Sequence, residues 1–238
     1  KEKVSRTKEL LDKAESSIQL HDFVTEEVRR FLSLTGDDSF GVNIPYSKEE
    51  LIARIDKYQK NSEDLSSVVA CLSYWGASQA HAQVLKKAIL RSIDRLEVTG
   101  GMTVWIDLRW YPLVLLCYAA GISAMESQKF DSLGTVLLPL ISDENNPREK
   151  FSIAAAVGSS ISAMGQREIF KQLPGQENKY TPMSEHLHKH LQPSLENALF
   201  LGKGYEEAFD DFEVMLALVV ADARRSASGG KTSVKALE

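Results

Sequence analysis

The sequence predicts an all-α domain, either a multi-helix bundle or a short solenoid-like stack, organised around one kinked central helix. Three observations carry that expectation. Apolar residues recur at three- and four-residue spacing in most segments, which is the helical period. No run of alternating β-branched residues bounded by hairpin turns is visible. The longest apolar run, Met102 to Met125, has amphipathic segments on both sides and holds two of the three tryptophans.

From Leu113 to Met125 this central run is apolar or small almost all round, the pattern of a buried helix rather than a surface one. Pro112 lacks the N–H a helix interior needs, so the helix starts near Trp110-Tyr111 or bends there. A membrane-spanning helix needs about 20 uninterrupted apolar residues, and Asp107 and Arg109 cut the run to about 16. A core helix is therefore expected. Asp107 and Arg109 stand two residues apart, do not share a helix face, and each needs its own partner. They read as part of a buried ion-pair network or as a polar pair at the mouth of a pocket.

The other elements follow in order. Val4, Leu11, Ala14 and Ile18 make a first amphipathic segment, and Val24, Val28, Phe31 and Leu32 continue it after His21-Asp22. Gly36-Asp37-Asp38-Ser39 stops it, and 41–46 is a loop. Ser47-Lys48-Glu49-Glu50 has the capping-box form and opens a helix presenting Leu51, Ile55 and Tyr58. Asn61-Ser62-Glu63-Asp64 reads as a break and a new cap before Leu65, Val68, Val69, Leu72 and Trp75, with Gly76 as the stop. Residues 79–97 form a helix with Leu85, Ala88, Ile89, Ser92, Ile93 and Leu96 inward. Its basic residues are interspersed with acidic ones, as on a solvated face.

After the centre, Phe130, Leu133, Val136, Leu137 and Leu140 predict another helix, and Asp143 to Pro147 a turn. Residues 149–164 predict a small-residue helix. The segment 165–181 is the least regular and is the candidate binding loop. Leu187, Leu191, Leu195, Leu199 and Phe200 form a helix interrupted by Pro193. In the last helix Tyr205, Phe209, Phe212, Leu216 and Val219 make one stripe. From Val214 to Ala221 it is apolar on every side, so deep docking in the core is expected. One domain over 1–224 is the expected organisation, with 225–238, rich in Ser and Gly, as an unstructured tail. The chain opens at Lys1 and ends in Leu237-Glu238, a pair common beside purification tags; both suggest a domain cut from a longer protein.

Composition narrows the function classes. Hydrophobic residues are 43% and charged residues 26% of the chain, ordinary globular values. The net charge of −5 and the lack of a basic stripe disfavour nucleic acid. Cys71 and Cys117 lie singly in apolar segments and read as buried thiols of a reducing compartment, so a cytoplasmic location is expected. His186, His188 and His190 are the nearest approach to a metal motif, but the glutamate of His-Glu-x-x-His is replaced by Leu187 and no third ligand is obvious apart from Glu185. Glu206, Asp210 and Glu213, with Glu207 and Asp211 beside them, read as a solvated helix start favourable to the macrodipole. Gly202-Lys203-Gly204 and Gly158-Ser159-Ser160 lack the spacings of a phosphate loop and of a nucleophile elbow. No metal, cofactor or catalytic set is expected.

Two stretches together resemble a known type of region: Arg109-Trp110-Tyr111-Pro112 through Gly121-Ile122, and Phe200 through Tyr205, Phe209 and Glu213 to Asp222. Both resemble helical C-terminal regions of large bacterial multidomain proteins, often anti-phage defence effectors carrying sirtuin-like or NTPase-like N-terminal modules. The resemblance implies that this region senses, regulates or assembles, while the chemistry sits in an attached module. It transfers no functional residues. The expected partners are other domains of the same polypeptide, a second copy of the chain or a phage protein, with no membrane and no nucleic acid. If exposed, Trp105, Trp110 and Tyr111 are the candidate docking residues, since large aromatics dominate interfaces. The alternative is a small-molecule or enzymatic pocket near Asp107 and Arg109.

Overall fold

The structure, a computed structural model, describes residues 1–13, 16–94, 100–142 and 149–232, with 226–232 described by backbone alone. Its elements are α1 (Glu2–Asp12), α2 (Ser17–Thr35), α3 (Lys48–Trp75), α4 (Gln79–Arg91), α5 (Thr103–Leu108), α6 (Tyr111–Glu126) and α7 (Phe130–Leu137). After these come β1 (Leu140–Ser142), β2 (Lys150–Ser152), α8 (Ile153–Gln166), a 3-10 turn (Phe170–Gln172), α9 (Pro182–Leu199) and α10 (Gly204–Thr232). It is an all-α bundle whose described sheet is one short antiparallel ribbon, with Ile141 opposite Phe151.

The bundle is built on α3 and α6, its most extensively packed pair. Every residue of α6 from Tyr111 to Ala124 is buried, which explains its lack of a polar face. The central stretch kinks as predicted. α5 ends at Leu108, Arg109 and Trp110 form a turn, and Pro112 sits in the first turn of α6, where its missing N–H costs nothing. The span Thr103–Glu126 is long and apolar enough to cross a membrane, but 89% of its most apolar window is buried among other helices. It is the centre of this fold. Two hydroxyls in this core bond to carbonyls, Ser73 to Ala120 at 2.7 Å and Ser123 to Ala119 at 2.6 Å.

Two glycines let α10 reach the centre. A Cβ on Gly121 would lie 2.0 Å from the Phe212 ring, and one on Gly158 would lie 2.6 Å from Val220. The backbones of α6 and α8 therefore approach α10 more closely than any side chain would allow.

Several sequence expectations are corrected. The first break falls between Asp12 and Ser17 rather than at His21-Asp22, so Leu10 and Leu20 are buried while Ile18 is 75% exposed; Ala14 lies outside the described residues. α3 runs unbroken through Asn61-Ser62-Glu63-Asp64. Ser62 donates back to the Tyr58 carbonyl at 2.7 Å and Asn61 donates to Leu34 of α2 at 2.7 Å, so neither side chain caps a helix. α9 likewise runs through Pro193. That proline faces solvent, where water can satisfy the backbone carbonyl it displaces.

Phe130 and Leu140, expected inside, are 60% and 62% exposed, and Leu140 belongs to the ribbon. Phe200, also expected inside, is the left-handed cap of α9 and is 89% exposed. α10 continues to Thr232, beyond the start of the expected tail. The turn at 143–147 and Leu96 lie outside the described residues, as does the chain after Thr232.

Candidate functional site

The residues singled out around the kink occupy different surroundings. Trp105 is fully buried; its indole N–H donates to the Ile44 carbonyl at 2.7 Å, and the Arg54 guanidinium lies 4.1 Å from its ring centre. Tyr111 is also fully buried. It packs edge-on to Phe170 and its hydroxyl accepts from Gln59 at 2.8 Å. Trp110 is half-buried. Trp105 and Tyr111 are therefore core anchors rather than docking residues, because the kink between α5 and α6 turns both inward, while Trp110 keeps part of its surface in water.

Asp107 and Arg109 point to separate partners. Asp107 pairs with Arg167 after α8, and Arg109, nearly buried, pairs with Asp37 in the turn after α2. The crevice beside Arg109, against Pro112 and Phe31, holds only 10 Å³, room for about one water. The geometry at these two charges supplies two structural ion pairs.

The histidines diverge as well. On α9, the imidazole Nε2 of His186 is 2.5 Å from the Gln59 amide nitrogen, while His188 packs against Tyr205 and Phe209. Burial holds the pKa of His186 below the usual value. That of His190 falls to about 4 through burial and the neighbouring His186. Both are neutral at pH 7. Among the described residues no group of three His, Cys, Asp or Glu side chains could hold a metal ion. Cys71 and Cys117 are buried and unpaired with each other, and burial pushes each thiol up to about 12.

The segment 165–181 is better packed than its sequence indicates. Ile169, Phe170 and Leu173 are core residues, and Gln176 is buried, while Tyr180 is 99% exposed.

Two surface features have the form of binding sites. Between α2 and α4 runs a half-open groove of 330 Å³, with Val24, Val28 and Val84 in its floor and Arg29, Lys87 and Arg91 on its rim. The second feature was missed by the sequence reading and lies on the outer side of α10. Tyr205, Phe209, Phe212 and Leu216 point inward, toward Tyr118, Gly121 and α9. Glu213 is also turned toward the body, accepting from Tyr118 at 3.0 Å and from Ser184 at 2.8 Å. Val214 and Leu218, expected deep in the core, are instead 59% and 60% exposed. With exposed Ala217 and Ala221 they form an apolar stripe, bordered by exposed Glu206, Glu207, Asp210 and Asp211 before it and exposed Arg224 and Arg225 after it. The opposite side of the helix already fills the core, so the apolar character all round the sequence has two causes: one face for the fold and one left in water.

Compared with known proteins, the chain gives no significant match to any family model, curated protein or solved structure.

Proposed function

We propose that this chain is a non-catalytic helical module that works by protein–protein contact. It would sense, regulate or assemble a larger bacterial multidomain protein. The reading places it in the cytoplasm and, from the resemblance of its central and closing helices, in an anti-phage defence setting. Its partners under this reading are other domains of the same polypeptide, a second copy of the chain, or a phage protein.

The supporting observation is the outer face of α10. Val214 and Leu218 lie on successive turns, about three-fifths exposed, with alanines beside them. Covering the surface these two side chains still expose stabilises by roughly 1–2 kcal/mol each. Contiguous exposed apolar residues with a charged border are the ordinary form of a contact surface.

The test compares full-length protein with its Val214→Lys/Leu218→Lys variant, in light scattering and in affinity capture from phage-infected cells. The reading expects wild-type fold and thermal stability in the monomeric variant, together with loss of self-association or of a specific captured protein. Identical assembly and capture by the two proteins would overturn it.

A further inference from the structure

We infer that the outer face of α10 is a self-association surface, on which a second copy of this chain docks with its α10 antiparallel. The inference rests on the contact reading above and names its partner.

The first support is the spacing. Glu207, Asp211, Val214, Leu218, Ala221 and Arg225 follow one another at intervals of four, three, four, three and four, and all are exposed. This is the alternation of a two-helix seam, which keeps one line of side chains facing a partner helix. The seam runs over 207–225, about 27 Å at 1.5 Å per residue. Ala217, beside its middle, leaves room for close approach.

The second support is charge. The seam is acidic at its N-terminal end, and at its C-terminal end Arg224 and Arg225 outnumber Asp222, with the apolar residues between. Arg225 pairs with Asp222 at 2.8 Å along its own helix, an exposed i,i+3 pair of little strength that a partner carboxylate can replace. In an antiparallel pair, the layers that stack seam residues place Val214 on the partner's Leu218 and Asp211 on the partner's Ala221. The same register sets Glu207 against the partner's Arg225. Along the flank it brings Asp210 to the partner's Arg224, with Ala217 meeting its own copy near the two-fold axis. Each of these ion pairs occurs twice by symmetry. A parallel pair would set Glu207 on Glu207 and Arg225 on Arg225, like charge on like. The helix is thus complementary to itself in one direction only, as an isologous two-fold contact requires. Flanking charges of this kind set helix orientation in coiled coils.

A single-helix seam is smaller than the roughly 1,200–2,000 Å² of a standard interface, so the dimer is concentration-dependent rather than permanent. Because the ion pairs lie at the rim, salt weakens it.

The test uses two charge variants of the whole chain, Glu207→Arg/Asp210→Arg and Arg224→Glu/Arg225→Glu, measured by sedimentation equilibrium. The wild type is expected to move from the 26.5 kDa monomer toward twice that mass as concentration rises. Each variant alone should associate more than about tenfold more weakly, since opposite charges become like charges. An equimolar mixture should recover the dimer, since every cross-pair is again opposite.

Direction is read from Glu207→Cys and Arg225→Cys with a short bismaleimide. The mixture should cross-link as a heterodimer, and neither variant with itself. A dimer indifferent to both charge variants, or Glu207→Cys cross-linking to itself, would overturn the antiparallel seam. A wild type that stays monomeric but captures another protein through Val214 and Leu218 would overturn self-pairing and leave the contact reading standing. A monomer whose Val214→Lys/Leu218→Lys variant captures the same proteins as wild type would overturn both.

Discussion

The guanidinium of Arg54 lies 4.1 Å from the ring centre of Trp105, inside the protein, and the two together fasten the loop between α2 and α3 to the bundle. Arg54 Nε donates to Glu50 at 2.7 Å and its Nη2 donates to the Gly41 carbonyl at 2.8 Å; Trp105 Nε1 donates to the Ile44 carbonyl at 2.7 Å. A fork and a ring plane are both required here. Arg54→Lys, which keeps the charge but loses the planar stacking and the divergent donors, is expected to destabilise by roughly 1–3 kcal/mol. Thermal unfolding followed by tryptophan fluorescence measures this directly. A change below about 0.5 kcal/mol, the ordinary surface value, would contradict the assignment.

Close approach of α10 to α6 depends on Gly121. Gly121→Ala would place a methyl group 2.0 Å from the Phe212 ring, in a site with no free volume, and is expected to cost about 1–3 kcal/mol. Gly121→Ala/Phe212→Leu should recover part of that loss, because the smaller side chain vacates the contested space. Gly100→Ala, where a Cβ meets nothing within 4 Å, is the control and should be near neutral. Urea unfolding of these four proteins together with Phe212→Leu alone decides the matter, and additivity of the two single changes in the double mutant would argue against the contact.

Acid should weaken the fold through α9. The His190 pKa is about 4 in the folded chain, against 6.5 when unfolded, so between these values the unfolded chain binds the extra proton. Stability contributed by the neutral imidazole is therefore complete above about pH 6.5 and is lost as the pH falls toward 4. The whole effect is on the order of 3 kcal/mol. His186, shifted in the same direction by burial, adds to it. Urea midpoints from pH 7 to pH 4 should fall more steeply for wild type than for His190→Gln; parallel curves would count against it.

The sequence was most informative wherever a local chemical signal decides a local structure. Ser47 caps α3 with its hydroxyl accepting from the Glu50 N–H at 3.1 Å, as the capping box predicts, although the Glu50 carboxylate turns to Arg54 instead of completing the box. Gly36 and Gly76 end their helices, and Pro112 marks the kink. Local signals failed where a side chain had a choice of partners. Ser62 and Asn61 look like caps, but a carbonyl one turn back and another on α2 take their hydrogen bonds, and the helix continues.

The outer face of α10 was illegible for a different reason. Between Val214 and Ala221 no polar residue breaks the pattern, so periodicity cannot say which side turns inward. The choice is made on other helices, by Gly121 and Gly158, which seat Phe212 and Val220 and leave Val214 and Leu218 outside. The aromatics around the kink show the converse, since their composition suits an interface as well as a core.

The most direct test of the account is the rate at which a thiol reagent labels Leu218→Cys as protein concentration is raised. Cys71 and Cys117 are buried with thiols shifted up to about 12, so the native background is silent. Labelling is expected to be fast at high dilution, where this face meets water, and to slow as a second copy covers it. A thiol protected even at high dilution would mean the face is buried within the fold. A fast rate that never changes with concentration would mean that no second copy docks there.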